Sequence, residues 1–315
     1  MTSNRQSTFF HIVLAFAVLL LAGNLSAQTN AQDIVRRMFE VANRLSYSGV
    51  FRYEVAGEQR TVRVSHLVVD DHVYEQISYL DGVAKDQWRK SPVDDCGFRK
   101  GINLQTQQHY RFNILGQYRV AGRQAYKIQA LPIDNLRYAY LFGVDAQTGL
   151  LLQSTLISQS GRALENFKYV DINFETSPVA LSEIDAQEQF QKTETQSCGS
   201  EDTEATSTPI EWVATWVPPG FVRSARRRIG EEKLSMAYTD GISVFSVLID
   251  AMPSTQYPAL SARVGSTQMV VTNYSYNDQD YRIMLSGELP QATANQIIRS
   301  VRPFLGSPTM ESPSQ

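Results

Sequence analysis

The chain has 315 residues, of which 43% are hydrophobic, and its formal net charge at pH 7 is −3. A hydrophobic fraction of this size can fill a core, which excludes a chain that is disordered throughout. The slightly acidic balance argues against a general nucleic-acid binder, because that class of protein presents a basic face.

Residues 1–27 predict a cleavable secretory signal peptide. Arg5 gives a basic start, residues 9–21 are almost purely apolar, and residues 25–27 offer small side chains for cleavage. The apolar run is short for a membrane span, which needs roughly 20 residues, so an uncleaved anchor is the less favoured alternative. Asn24 occupies the position at which a lipoprotein carries its lipidated cysteine. We therefore expect an exported, unlipidated mature chain that starts near Gln28.

The first half of the mature chain predicts a helix followed by antiparallel strands. In residues 31–45, Ile34, Met38 and Val41 recur along one face, as in an amphipathic helix. The pattern then changes to an alternation of period two, which predicts a strand over residues 47–55. Hairpins follow, formed by residues 61–69 with 72–80, and by residues 138–144 with 150–157 and 163–174. Sequential strands with short polar turns predict an antiparallel meander, curved around the helix.

The second half predicts a separate, smaller unit. Residues 182–191 predict a short helix, and residues 192–209 are polar with almost nothing apolar to bury, which predicts a flexible linker. Strand-like stretches cover residues 210–216, 221–229, 234–240, 242–251, 268–276 and 280–287. A helix that starts at Pro290 and stops at Pro303 follows, with one apolar face made of Ala294, Ile297, Ile298 and Val301. Residues 306–315 predict a disordered tail.

The mature chain carries no pattern for catalysis, for a cofactor or for a metal site. It has no Cys-x-x-Cys, no Gly-x-Ser-x-Gly, no phosphate-binding loop and no dinucleotide-binding glycine motif. A turn at residues 70–71 places His66 opposite Glu75, and the mature chain's other histidines, His72 and His109, do not converge on it. We expect a protein that is not an enzyme and that has no catalytic residues, cofactor or metal.

Four arginines on one predicted strand are the candidate binding residues: Arg223, Arg226, Arg227 and Arg228. Alternate side chains of a strand point to opposite faces, so one interpretation is an ordinary solvated face. The other is a clamp for carboxylates or lipid phosphates, which guanidinium groups bind through two parallel hydrogen bonds. The sequence leaves both interpretations open.

Two cysteines, Cys96 and Cys198, are the only ones in the chain. An even number of cysteines in an exported protein favours a disulfide, because the compartment is oxidising. Two free thiols are the alternative.

Several segments resemble those of a known family. In the second half they are residues 215–221 (Thr-Trp-Val-Pro-Pro-Gly-Phe), 238–247 (Tyr-Thr-Asp-Gly-Ile-Ser-Val-Phe-Ser-Val) and 287–290 (Gly-Glu-Leu-Pro). In the first half, residues 138–145, residues 150–152 and the turn containing Gly161 match in order and spacing. Together they resemble the MucB/RseB family, periplasmic regulators of the sigma-E envelope-stress response, over nearly the whole mature chain. The cysteine pair departs from the family pattern.

The resemblance implies an α+β protein of two domains. Residues 28–191 would form a large half-open antiparallel β-barrel or curved sheet wrapped on helices, similar to the lipoprotein carriers LolA and LolB. Residues 210–305 would form a smaller antiparallel sheet with a C-terminal helix.

The resemblance also implies a periplasmic negative regulator with a protein partner. It would bind the periplasmic segment of a single-span, RseA/MucA-like anti-sigma factor and shield it from regulated proteolysis. A lipid, namely lipopolysaccharide or another acylated ligand, would release it. A periplasmic carrier or chaperone for lipids or lipoproteins is the alternative function. The oligomeric state is open, with a homodimer or a higher homo-oligomer among the options.

Overall fold

The computed structural model describes residues 30–70, 72–82, 86–92, 108–174, 210–230, 232–252 and 258–304. They form two large antiparallel sheets and a two-stranded ribbon. We call residues 30–174 the large lobe and residues 210–304 the small lobe. The predicted signal peptide, helix over residues 182–191, linker and C-terminal tail lie outside these ranges, as do both cysteines. No helix within them is both long and apolar enough to cross a membrane.

The large lobe begins with helix α1, Ala31–Val41, whose first turn is capped by the Asn30 side chain. The helix is shorter than the predicted 31–45, because residues 42–44 form a turn. Nine strands follow: β1 Tyr47–Val55, β2 Glu58–Val69, β3 His72–Tyr79, β4 Gln87–Pro92, β5 Tyr110–Val120, β6 Arg123–Pro132, β7 Ala139–Asp145, β8 Leu151–Ile157 and β9 Ala163–Asn173. The sequence did not indicate β4, β5 or β6.

The nine strands make one sheet in the order β4-β3-β2-β1-β9-β8-β7-β6-β5. Two meanders, β1 to β4 and β5 to β9, are therefore joined by the pairing of β1 with β9, which a single sequential meander did not predict. The register of β2 on β3 confirms that His66 lies opposite Glu75. The order is linear, with β4 and β5 at its edges, so the sheet is not closed.

The core of the large lobe forms where α1 packs on the sheet. Ile34, Val35 and Met38 of the helix are buried against an apolar cluster that includes Tyr140 and Phe142 of β7. A second cluster, centred on Tyr47, Leu152 and Tyr169, fills the region where β1 meets β8 and β9. Burial of these side chains is the main stabilising contribution, at about 1.5–3 kcal/mol for each large one.

The small lobe is a six-stranded sheet with a helix and a two-stranded ribbon. Its elements are β10 Trp212–Ala214, β11 Val222–Ile229, β12 Lys233–Thr239, β13 Val244–Met252, β14 Leu260–Val264, β15 Thr267–Tyr276, β16 Gln279–Glu288, α2 Gln291–Ser300 and β17 Val301–Pro303. The sheet order is β11-β12-β13-β16-β15-β14, and β10 pairs with β17. The sequence did not indicate β14.

The predicted closing helix is present, with two corrections at its ends. Pro290 is the N-cap of α2, one position before the first helical residue. The helix ends at Ser300, and Val301 instead begins β17, opposite Ala214 of β10. Val301 is still buried in the small-lobe core, because a strand residue can fill the same cluster as the helix face.

The glycine of the Gly-Glu-Leu-Pro segment, Gly287, is required by close packing between two strands. It lies opposite Phe245, a fully buried residue of β13. A Cβ atom at position 287 would collide with the Phe245 backbone and Cβ, so a side chain here would push the two central strands apart.

Candidate functional sites: a basic edge strand and the joint between the lobes

The four predicted arginines lie on β11, an edge strand of the small sheet. Three of them lie opposite residues of β12 that are buried in the core, in the pairs Arg223–Tyr238, Arg226–Met236 and Arg228–Leu234. Residues paired across an antiparallel ladder share a face of the sheet. These three guanidinium groups therefore follow one another along the core-side face, and we call them the arginine row.

A β-bulge creates the arginine row. The register of β11 shifts just after Arg223, which leaves Ser224 as an extra residue without a partner on β12. In a regular strand, alternation would place Arg223 on the face of Arg227. The bulge moves it to the face of Arg226 and Arg228 instead. The sequence alone gave no sign of this irregularity.

The arginine row has one acidic partner among the described residues. Arg226 Nη2 lies 3.3 Å from Glu211 Oε1, and the Glu211 side chain is 59% exposed. Arg228 Nη2 is buried and has no hydrogen-bond acceptor. An unsatisfied buried donor is unfavourable, so this N–H group is suited to donate to a carboxylate or phosphate oxygen that reaches it. That these arginines bind a ligand stays a prediction.

The second site is a buried joint between the lobes, centred on Arg137. The Arg137 guanidinium donates to Asp240 Oδ2 at 2.5 Å and to the Pro219 carbonyl oxygen at 2.6 Å, both in the small lobe. Within its own lobe it donates to both oxygens of Asp134, at 3.0 and 3.1 Å. It also lies over the Phe221 ring, 5.2 Å from the centroid, as in a cation–π contact. Arg137 therefore donates to acceptors of both lobes.

One carboxylate oxygen of Asp240 accepts hydrogen bonds from its own turn, and the other accepts them from the large lobe. Oδ1 accepts from the backbone N–H groups of Ile242 and Ser243, at 3.0 and 2.8 Å. Oδ2 accepts from Arg137 and from the Tyr110 hydroxyl, at 2.5 and 3.1 Å. The turn therefore fixes the position of the carboxylate that Arg137 contacts.

Two further contacts complete the joint. The Tyr140 hydroxyl lies 2.9 Å from Ser243 Oγ and donates to Glu288 Oε2 at 2.9 Å. Glu165 of β9 accepts from the backbone N–H and the hydroxyl of Ser266, at 3.1 and 2.6 Å. The large-lobe side chains that meet the small lobe thus include those of Tyr110, Arg137, Tyr140, Glu165, Val55 and His109.

The joint changes the proton affinity of its acidic groups. Burial raises the pKa of the Glu288 carboxyl above its ordinary value, and the negative charges of Glu165 and Asp240 raise it further, against the hydrogen bond from Tyr140. Burial also raises the pKa of the Tyr140 hydroxyl well above its usual range. Docking of the lobes therefore favours the protonated form of Glu288.

The segments that carry the family resemblance converge on this joint. Pro219, Asp240 and Glu288 belong to the three separate second-half segments, and all three residues contact the large lobe. Tyr140 belongs to the corresponding first-half segment. Sequence analysis did not single out Arg137 or Glu165, because their partners lie 103 and 101 residues away along the chain and no local pattern marks such pairs.

The three histidines among the described residues, His66, His72 and His109, lie apart from one another in different contacts. His66 is buried with its Nδ1 3.0 Å from Glu75 Oε1, and His72 Nδ1 lies 2.8 Å from the backbone oxygen of Asp70. His109 packs where a Cβ atom of Gly220 would stand. In the part of the chain that the structure describes, no three His, Cys, Asp or Glu side chains are grouped to hold a metal ion.

Comparison with known proteins identifies the family. The model of the MucB/RseB N-terminal domain matches residues 30–98 and 97–194, and that of the MucB/RseB C-terminal domain matches residues 206–302. The sigma factor AlgU regulatory protein MucB of Pseudomonas aeruginosa is 29% identical over 314 residues, which cover 91% of this chain and 97% of that protein. The sigma-E factor regulatory protein RseB of Haemophilus influenzae is 26% identical, with coverages of 92% and 98%.

A solved structure supports the same assignment. A chain in the complex structure of Pseudomonas aeruginosa MucA/MucB is 26% identical in sequence to this chain. The two superpose with a TM-score of 0.69, and the match covers 88% of this chain and 100% of that chain. The two family models together span both lobes, including the residues of the joint and the arginine row. This chain belongs to the MucB/RseB family.

Proposed function

We propose that this protein is a negative regulator of a sigma-E-type, AlgU-like envelope-stress response. It binds the periplasmic segment of a membrane-spanning anti-sigma factor and shields that segment from regulated proteolysis. Shielding by occupancy needs differential affinity and no chemical step, so the proposed protein is not an enzyme. The proposal rests on the similarity to the MucA/MucB complex, at a TM-score of 0.69 over 88% of this chain.

We propose that the protein is periplasmic and has the domain organisation predicted from the sequence. A signal peptide, residues 1–27, precedes a large domain over residues 28–191, a linker over residues 192–209, a small domain over residues 210–305 and a tail. Separate hydrophobic clusters in the two lobes support this division. We propose that the large domain is a LolA-like half-open barrel, a geometry compatible with its open nine-stranded sheet and the helix packed on it.

Partner binding is assigned to the arginines of β11. Arg223, Arg226 and Arg228 share one face, and the Glu211–Arg226 pair is an instance of a carboxylate held there. Exposed charge pairs are screened beyond about 8 Å at physiological ionic strength, so affinity for the partner should fall as salt rises.

Release by a lipid is assigned to the joint between the lobes. If the partner requires the docked lobes and an acyl chain in the large domain favours separated lobes, each ligand must weaken the other by the same factor. A coupling of about 1–3 kcal/mol corresponds to a roughly 5- to 150-fold change in affinity. The Arg137–Asp240 contact is the element on which such coupling would act, since it exists only when the lobes are docked.

A protection assay tests the proposal. The purified mature protein is mixed with the periplasmic segment of the single-span anti-sigma factor from the same genome, and cleavage of that segment by its site-1 protease is followed. We expect cleavage to slow in proportion to the bound fraction, and to recover when lipopolysaccharide is added below its aggregation concentration. A protein that binds the lipid but neither binds nor protects the segment would instead be a carrier.

A further inference from the structure

Strand β11 is an open edge of the small sheet. It pairs with β12 on one side, and among the described residues no strand pairs with its other side. An edge strand presents a row of backbone N–H and C=O groups that can pair with a strand from another chain. Val222 and Ile229, at its two ends, are 45% and 46% exposed.

The charge on this edge decides which strand it can accept. Proteins often place a bulge or a cation on an edge strand to prevent unwanted pairing, and β11 has both. Two copies of β11 would bring like charges together, and a neutral strand would offer no acceptor to the buried Nη2 of Arg228. A strand with carboxylates opposite the arginine row avoids both costs, so the same charges that exclude other strands select an acidic one.

The spacing of the arginine row matches that of an extended peptide. Arg226 and Arg228 are two residues apart on a strand, or roughly 6.6 Å, which is also the spacing of alternate side chains in a partner strand. The exposed Glu211 already reaches Arg226, and the buried Nη2 of Arg228 lacks an acceptor. A linear row at strand spacing suits a peptide better than a lipid headgroup, whose phosphates require converging cations.

We infer that β11 is a docking edge for an extended acidic segment. The segment adds to the sheet as a further strand and sets alternate carboxylates opposite Arg223, Arg226 and Arg228. The inference rests on the proposed function in one respect: the natural segment belongs to the anti-sigma partner. The docking edge itself can be tested without that partner.

The experiment uses the full mature protein and two synthetic ten-residue peptides, one alternating Glu with Thr and one alternating Lys with Thr. Hydrogen exchange of residues 222–229 is measured with each peptide and with the anti-sigma segment. We expect the Glu peptide to slow exchange in β11, and the Lys peptide to leave it unchanged. In the double variant R226E/R228E the preference should invert, with affinity for the Glu peptide reduced roughly tenfold or more.

The matched control is Arg302→Glu, which reverses the charge at an exposed position of β17 in the same lobe. It should leave peptide binding unchanged. Protection of β11 by the Glu peptide without binding of the anti-sigma segment supports the docking edge and overturns the proposed function. Binding of that segment with unprotected β11 and no effect of R226E/R228E overturns the docking edge and leaves the function standing. Failure of both probes to protect β11, or loss of lipopolysaccharide binding alone in the variant, also overturns it.

Discussion

Arg137 of the large lobe and Asp240 of the small lobe form an ion pair at 2.5 Å in which neither side chain is exposed to solvent. Removing two charges from water is costly, and the attraction between them offsets this cost only when further hydrogen bonds satisfy both groups. Here Asp134, Pro219 and Tyr110 supply those bonds. The pair therefore fixes one docked arrangement of the lobes more than it strengthens their contact.

Replacing Arg137 with Met should open the joint. The change leaves Asp240 buried without a cation, which destabilises the docked arrangement by about 3–5 kcal/mol. Separation of the lobes would let water reach Asp240, so we expect a larger radius of gyration in small-angle scattering and faster hydrogen exchange around residues 238–245.

Two variants sharpen that prediction. Arg162→Met changes an exposed arginine of the large lobe and should alter stability by no more than about 0.5 kcal/mol. Adding Asp240→Asn to Arg137→Met removes the uncompensated charge but keeps an oxygen for the turn, so the lobes should dock again in part. If Arg137→Met is as compact as the wild type, the ion pair does not hold the joint.

Gly265→Ala should disturb the joint from its other side. Gly265 has a φ of +59° in the turn between β14 and β15, and a Cβ atom there would collide with Val55 and Glu165 of the large lobe. We expect a loss of about 1–3 kcal/mol from the collision, beyond the backbone strain. Urea denaturation and scattering of the full chain would measure it.

Gly230→Ala provides a matched control for that strain. Its φ of +63° is nearly the same, but a Cβ atom there would have no neighbour within 4 Å. Both variants should lose about 1 kcal/mol from the left-handed backbone, and only Gly265→Ala should loosen the lobes. Equal effects of the two substitutions would contradict a tight contact at Gly265.

Glu288→Gln should change how stability depends on pH. The folded-state pKa of Glu288 is raised, first by burial and then by Glu165 and Asp240. The stability gained from protonated Glu288 is therefore complete below the ordinary pKa of 4.5, and it is lost as the pH rises through the folded-state pKa. Gln keeps an acceptor for Tyr140 but does not ionise, so the stability of the variant relative to the wild type should rise as the pH increases from 4.5 through the folded pKa of Glu288.

Glu232→Gln, which removes an exposed carboxyl of the same lobe, corrects for the loss of one charge. Urea denaturation at several pH values would give the free energies of unfolding. A Glu288→Gln variant whose stability relative to the wild type falls as the pH rises would show that the site favours the carboxylate.

Cys96 and Cys198 should be joined in the exported protein. The pair closes a loop of about 100 residues, for which the chain-entropy model gives roughly 4–5 kcal/mol. Because Cys198 lies in the predicted linker, the bond would tether the linker to the large domain. Mass spectrometry of periplasm-expressed protein without reduction measures the bond directly, and two thiols that alkylate without reductant would refute it.

The sequence by itself determined the local elements whose signal is periodic. The amphipathic repeat placed α1, the alternation of period two placed β1, and the polar turn at residues 70–71 set the register that puts His66 opposite Glu75. These features depend on neighbours within a few residues, which is the range over which side-chain periodicity carries information.

The tertiary structure alone decided the joint and the arginine row. Arg137 and Asp240 are 103 residues apart, and nothing local distinguishes a future buried pair from two solvated charges. The bulge that brings Arg223 beside Arg226 and Arg228 arises from the pairing with β12, since an extra residue exists only relative to a partner strand. The sequence could name the arginines, but the register of the sheet decided which of them share a face.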